Sequence, residues 1–314
     1  MKRILDFAWP MLGLLAVLFS GWLLYSELRT ISADEILASI AAIPLKRWCL
    51  AILSTLVAYT ALAWYDRIAL LHLRKPLGWG FISLVSFTTY ALSHNIGASV
   101  FSGAAVRYRA YSTKGLAAAE IAVLVTLCSF TFLLGTIMLG GFVLIVEPSV
   151  FVRLFELPLW VARFIGILFL LCVLLYVFGS ILKFRPISIG SFQVFYPRPE
   201  VVLRQLFAAP IELLGAAGII YFALPPNEHV TFFSIVGLFL GSFSAALLSN
   251  APGGLGVLEY LFLKAAPDLS VPDVIAALLV FRLLYLLIPL IFACGVVLIF
   301  ERKQFLDAVR KKIH

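Results

Sequence analysis

Charged residues are scarce in this sequence. Asp, Glu, Lys and Arg make up 13% of its 314 residues, where an ordinary soluble domain carries roughly 25%. The hydrophobic residue types supply 63% of the chain, more apolar surface than a soluble core hides. Cysteine and histidine are few as well, four of each. Cys49, Cys128, Cys172 and Cys294 stand alone within apolar runs, at neither metal-ligand nor redox spacing, which leaves them as small packing residues. Of the histidines, His94 alone falls in a segment suited to a membrane pocket; His72 and His229 flank helices and His314 ends the chain. No H-E-x-x-H, G-x-S-x-G or P-loop pattern occurs. No metal, cofactor or catalytic residue is therefore assigned, and the expectation is a protein that is not an enzyme.

What is present is length without polarity. Mean hydropathy is +1.07, and several runs reach the roughly 20 residues a helix needs to cross about 30 Å of hydrocarbon. Hydrocarbon offers backbone groups no hydrogen-bond partner, so such runs must be helical. The spanning candidates are Leu5 to Leu28, Trp48 to Leu71, Leu116 to Val146, Leu159 to Leu182, Val201 to Leu224 and Val274 to Phe300. The first follows Lys2 and Arg3; its apolar part outruns a signal peptide and no A-x-A-like site follows, so it is read as a retained helix. No soluble domain is expected before or after the membrane part, and Glu301 to His314 reads as a short basic end. The net charge of +8 resides in short loops rather than on one folded face, which points to orientation and lipid headgroups and away from nucleic acid.

Two apolar segments break on polar, glycine-rich stretches. Phe81 to Ser93 runs into His94-Asn95-Ile96-Gly97 and on to Gly103, and Thr231 to Ser249 runs into Asn250-Ala251-Pro252-Gly253-Gly254-Leu255-Gly256. Loop charge decides how they cross, because cytoplasmic loops carry the excess of Lys and Arg. With Lys2 and Arg3 inside, Arg67, Arg74 and Lys75 are inside too. Arg107, Arg109 and Lys114 stay with them only if the first broken segment dips in and returns. The piece from Leu255 to Ala266 rises only about 18 Å at 1.5 Å per residue, too short to span. The second segment is then a hairpin entering from the opposite side. The expected architecture is all-α and integral to the membrane, with about six spanning helices, two opposed re-entrant hairpins and both termini cytoplasmic. It forms a single domain over 1–314, with inverted halves around 48–146 and 201–300. Eight ordinary transmembrane helices are the alternative.

Ionisable residues inside a bilayer are costly and face a partner or a cavity. Glu212, just after Pro210, with Glu259 and Arg282, stand deep in apolar segments. Two readings remain open for them: a buried pair of one carboxylate with Arg282, or the lining of a polar cavity for a headgroup or proton. Arg107 and Arg109, interleaved with Tyr108 and Tyr111, offer bidentate donors to a lipid phosphate at the headgroup level, or serve only to orient the chain. Tyr65-Asp66-Arg67 reads as a local ion pair. Glu120, one turn into its helix, suits the N-terminal dipole or a pairing with Arg107 or Arg109. A Gly/Pro-interrupted segment in each half is the sequence pointer to a transporter's central site. Asn95, Gly97, Asn250, Pro252, Gly253 and Gly254 join the candidates on that ground.

Asn95-Ile96-Gly97 through Gly103-Ala104-Ala105-Val106-Arg107-Tyr108-Arg109-Ala110-Tyr111, and Asn250-Ala251-Pro252-Gly253-Gly254-Leu255-Gly256-Val257-Leu258-Glu259, resemble the transmembrane region of the bifunctional lysylphosphatidylglycerol synthetase/flippase family. The likeness runs in pattern over nearly the whole chain, with Tyr65-Asp66, Arg282 and Pro289 included. It implies a flippase-like unit that moves a phospholipid, anionic or aminoacylated, between leaflets of the bacterial inner membrane. The bifunctional members carry an aminoacyl-transfer domain after the membrane part, and this chain stops soon after its last apolar run, so lipid synthesis is not expected. The rivals are a transporter of a small polar solute, a membrane enzyme using His94, and a non-transporting partner protein. Association into a homo-oligomer is left open.

Overall fold

The computed structural model describes residues 33–313, apart from 97–98, 157, 184–186, 190–191, 195–196, 227–229, 250–253 and 267. The first expected span, Leu5 to Leu28, with Lys2 and Arg3, lies outside the described residues. A short helix α1 (Ala33–Ala41) leads into α2 (Leu45–His72), α3 (Trp79–Ile96), α4 (Ser99–Ser112), α5 (Ala118–Val146), α6 (Ser149–Phe155) and α7 (Leu159–Ile181). Two three-residue strands, β1 (Ile187–Ile189) and β2 (Phe192–Val194), form an antiparallel ribbon with Ile187 opposite Val194. Then follow α8 (Pro199–Ala223), α9 (Phe232–Leu248), α10 (Val257–Ala265), α11 (Val271–Phe281), a π-helical segment (Arg282–Leu287) and α12 (Ile288–Ile313). Among the described residues the protein is all-α apart from that ribbon.

Five described stretches are long and apolar enough to cross a membrane: α2, α5, α7, α8 and Val271–Phe300, which spans α11, the π segment and the start of α12. They coincide with the five expected spans that fall on described residues. Their outer faces are apolar: on α7, Trp160 and Phe164 are 73% and 62% exposed. In water such a face would drive aggregation; against lipid it costs nothing.

The centre is the pair α2 and α8, antiparallel along their whole length. The Arg47 guanidinium donates to the Tyr221 and Phe222 carbonyls at 2.8 and 3.0 Å at one end, and Arg198 donates to the Leu71 carbonyl at 2.8 Å at the other. Between these ends the helices touch backbone to backbone: a Cβ on Gly215 would come within 3.0 Å of the Ala58 nitrogen and the Ser54 carbonyl. Lipid-embedded helices gain little from hydrophobic exclusion, so close approach through small residues supplies the packing. Gly135 does the same between α5 and α8, where a Cβ would sit 2.5 Å from that of Ala209.

Both broken segments are helical hairpins. α4 runs back along α3, so that a Cβ on Gly103 would lie 3.2 Å from the Thr89 methyl and 3.6 Å from the Ser93 Cβ. α10 likewise returns beside α9. At its start Gly254 has φ +63°, and a Cβ there would meet that of Ala246 at 2.8 Å, so neither the conformation nor the space admits a side chain. The hairpins pack crosswise, α3 against α12 and α9 against α5, while α3 also meets α2 and α9 meets α8.

Candidate functional site

The charged residues buried inside this bundle fall into connected groups. In the first, Asp66 on α2 is fully buried and accepts from Arg107 on α4 through Nη2 at 2.7 Å and Nε at 3.2 and 3.3 Å. The Tyr111 hydroxyl donates to the same carboxylate at 2.8 Å and the Cys128 thiol lies 3.4 Å away. Arg107 and Tyr111 are four residues apart and so share a helix face. Arg109 and Tyr108 look outward, Tyr108 being 54% exposed. The sequence run thus divides: one arginine–tyrosine set turns into the protein and the other to its surroundings. The local pair expected between Asp66 and Arg67 is not formed, because successive residues on a helix point about 100° apart. Arg67 lies instead over the Trp79 ring, 4.9 Å from its centre. Glu120 pairs with Lys75 at 3.1 Å, rather than with Arg107 or Arg109, and its carboxylate takes the Ala117 amide at 2.9 Å.

The second group surrounds Glu212 on α8. This carboxylate is 1% exposed and accepts the Tyr285 hydroxyl at 2.7 Å and the Tyr65 hydroxyl at 3.4 Å. No Lys or Arg among the described residues reaches it. Tyr285 sits on the π segment, and its own carbonyl accepts the Tyr59 hydroxyl at 2.9 Å. The cause is Pro289: a proline carries no amide hydrogen, so the carbonyl four residues before it loses its helical donor. The next carbonyl, of Leu286, takes the Asn95 side-chain amide at 3.1 Å, which ties the end of α3 to the wide turn. His94 is wedged between the Tyr90, Phe243 and Tyr285 rings, stacked on the last at 5.5 Å. Its Nδ1 has no hydrogen-bond partner among the described residues.

In the third group, Arg282 pairs with Glu259 of α10 at 2.5 Å, and the other Glu259 oxygen accepts the Gly256 amide at 2.9 Å. Of the two carboxylates weighed as its partner, Glu259 takes the arginine and Glu212 does not. Asp66–Arg107 and Glu259–Arg282 each fasten the second arm of a hairpin to a long helix. Gly97, Asn250, Pro252 and Gly253 lie outside the described residues. A fourth chain, Tyr176 to Gln205 to Thr131, each link 2.8 Å, joins α7, α8 and α5. Sequence reasoning missed Tyr59 and Tyr285 and took Tyr65 only as a neighbour of Asp66, since a tyrosine in an apolar run looks like any core aromatic; Pro289 was the available signal for Tyr285.

Two apolar grooves flank these groups. One of about 470 Å³ lies between α2, α3 and the π segment, walled by Leu56, Phe87 and Phe292, with Tyr59 at its inner side. Leu56 and Phe292 are 60% and 65% exposed, so the groove opens sideways. The other, about 270 Å³, lies between α3, α4 and α12 and has Arg109 among its walls.

No protein-family model matches the chain. It is 33% identical over 268 residues to an uncharacterized protein of Synechocystis sp., covering 84% of this chain and 83% of that one. It is 30% identical over 248 residues to the inner membrane protein YbhN of Escherichia coli, covering 78% and 77%. The chain belongs to the YbhN family. A phosphatidylglycerol lysyltransferase of Staphylococcus aureus is 26% identical over 302 residues, which are 94% of this YbhN-family chain but 34% of that enzyme. The resemblance read from the hairpin motifs is therefore to a chain about three times longer. This YbhN-family member is a multi-pass membrane protein related in sequence to a lipid-modifying enzyme.

Proposed function

We propose that the chain translocates a phospholipid, its headgroup passing through the polar interior beside Glu212 while the acyl chains stay in lipid. The observation that carries this reading is the sideways groove of about 470 Å³, apolar at its mouth and reaching Tyr59, whose hydroxyl belongs to the Glu212 network. A carrier of small polar solutes has no use for an apolar side entrance. The likeness over 94% of the chain to a phosphatidylglycerol lysyltransferase supports a lipid substrate, anionic or aminoacylated.

In this proposal Glu212 and Asn95, with Gly97, Asn250, Pro252, Gly253 and Gly254 of the broken segments, meet the headgroup. Arg109, at the smaller groove, receives its phosphate. Arg107, Tyr111, Glu259 and Arg282 hold the hairpins to the long helices. The hairpins are re-entrant from opposite sides of a bacterial inner membrane, both termini are cytoplasmic, and 48–146 and 201–300 are inverted halves. The antiparallel run of α2 and α8, the first long helix of each half, supports that symmetry.

The test is leaflet-resolved lipid analysis of cells with and without the protein, using an impermeant reagent for the outer leaflet. The outer share of at least one phospholipid class should fall when the protein is removed and recover on expression of the wild type but not of Glu212→Gln. An unchanged distribution in every class, with the protein present in the membrane, would overturn the proposal.

A further inference from the structure

Beyond the Glu212 interior, a cavity of about 450 Å³ lies where the end of α2 meets the start of α8. Five cations line it: Arg67, Arg74, Lys75, Arg198 and Arg204. Among the described residues no acidic side chain does. Glu120 and Glu200 approach from outside and pair with Lys75 and Arg204 at 3.1 and 2.7 Å. Arg67, Arg74 and Arg198 have no carboxylate partner among the described residues. Leu70, Leu71 and Leu77 add an apolar part to the same lining, Leu70 and Leu71 lying between Arg67 and Arg74 along one face of α2. The lining thus combines cationic and apolar side chains, and it sits at the end of two spanning helices, where headgroups lie.

The backbone supplies an independent observation. α2 ends in a Schellman turn: the Lys75 amide donates to the Leu70 carbonyl at 3.0 Å and the Arg74 amide to the Leu71 carbonyl at 3.2 Å. The earlier of these two donors along the chain, the residue just past the helix cap, must be left-handed, and glycine is the usual occupant. Here it is Arg74, at φ +56°. A β-carbon is disfavoured in that conformation, which Glu156 and Lys183 also adopt at φ +54° and +52°; of the three, Arg74 lines the cavity. Stopping the helix requires only glycine. Orienting the chain requires only that positive charge be nearby, which Arg67 and Lys75 already provide.

We propose that this cavity binds the phosphate ester of an anionic amphiphile, with Arg67, Arg74 and Arg198 as donors and the leucines against the glycerol and upper acyl chain. Guanidinium groups bind phosphate oxygens in bidentate fashion, and three without a carboxylate partner around one space favour that ligand over a neutral headgroup. The proposal does not depend on any lipid being moved.

The experiment uses the purified full-length protein in detergent with equal phosphatidylglycerol and phosphatidylcholine, retained lipid being counted by native mass spectrometry. The wild type should retain phosphatidylglycerol in preference. Arg74→Gly should weaken that retention by about five- to tenfold, a loss of the size of one charge-assisted bond. Its melting temperature should hold or rise, because the left-handed strain is gone. A merely structural arginine would lower the melting temperature and leave lipid retention alone. The double variant Arg67→Gln with Arg198→Gln should lose the preference as well. Displacement of the lipid by millimolar inorganic phosphate or glycerol phosphate would assign the site to phosphate from either source; retention against both would assign it to the lipid. Equal phosphatidylglycerol retention by wild type, Arg74→Gly and the double variant would overturn the proposal, as would the absence of a preference in the wild type.

Discussion

Arg107 grips the Asp66 carboxylate with two of its nitrogens, 2.7 Å at the shortest, with both residues under 5% exposed. Tyr111 occupies a further lone pair of the carboxylate and the Arg107 guanidinium rests over the Tyr90 ring at 4.9 Å. Tyr111 and the Tyr90 ring thus close around one ion pair, which anchors the second arm of the first hairpin to α2.

Removing half of that anchor leaves an uncompensated charge in a dry place, which costs about 3–5 kcal/mol. Arg107→Leu and Asp66→Leu should each fail to accumulate or melt far below the wild type in detergent. The double variant, leaving no charge behind, should recover most of the melting temperature. Tyr111→Phe removes one charge-assisted bond and should cost about 1.5–3 kcal/mol.

The same reasoning applied to the second hairpin now has a definite partner. Arg282→Leu should be damaging, and adding Glu259→Leu should restore folding, whereas adding Glu212→Leu should not. Thermal melts of the three proteins decide it; rescue by the Glu212 change would contradict the observed pairing.

Glu212 separates structure from function most cleanly, since its partners are two phenols and no cation. Glu212→Gln keeps size and an acceptor oxygen while removing the capacity to ionise. It should fold with a melting temperature near the wild type, and leaflet exchange of the transported lipid should fall by at least about tenfold, a difference of 1.4 kcal/mol. Full exchange in a folded Glu212→Gln protein would remove this residue from the mechanism.

The close approach of α5 and α8 should be intolerant of a single methyl group. Gly135→Ala places a Cβ against that of Ala209 and should destabilise by about 1–3 kcal/mol, the usual cost of overpacking. Ala209→Gly in the same chain should return part of the loss, as read from paired melting curves; no effect of Gly135→Ala would mean that the helices stand farther apart.

Membrane orientation is accessible to labelling. The four native cysteines would be replaced first, Cys49, Cys172 and Cys294 being exposed. A cysteine at Ser112 should then react only from the cytoplasm and one at Ser270 only from the periplasm. Periplasmic labelling at Ser112 would defeat the re-entrant arrangement of the first hairpin.

The spans were legible because hydrocarbon thickness imposes a length on every crossing, and the two breaks because Gly and Asn interrupt an apolar run that would otherwise continue as helix. Pairing was less so. Sequence placed Arg67 beside Asp66 and the structure placed Arg107 there, because adjacency along a helix says nothing about which face meets the neighbouring helix. The Tyr59–Tyr285 bond was hidden for a different reason: its acceptor is a backbone carbonyl released by Pro289, and sequence does not tell which distant side chain will claim it. The carboxylate of Glu212 stood out as a buried charge, yet its phenolic surroundings came from α2 and the π segment, well separated along the chain.

A π turn closes its hydrogen bonds over five residues instead of four. The segment Arg282–Leu287 therefore takes up an extra residue within an otherwise α-helical span. Everything from Ile288 onward is turned by about 100° from where an unbroken helix would carry it. Shortening this stretch by one residue would leave composition and hydropathy almost untouched and give a more regular helix. It would also swing Tyr285 or Arg282 off its partner, since the two could no longer keep their present angular separation from α12. The reach of the Tyr285 hydroxyl to Glu212 is in this sense set by counting, by how many residues occupy one turn, and not by which residues they are.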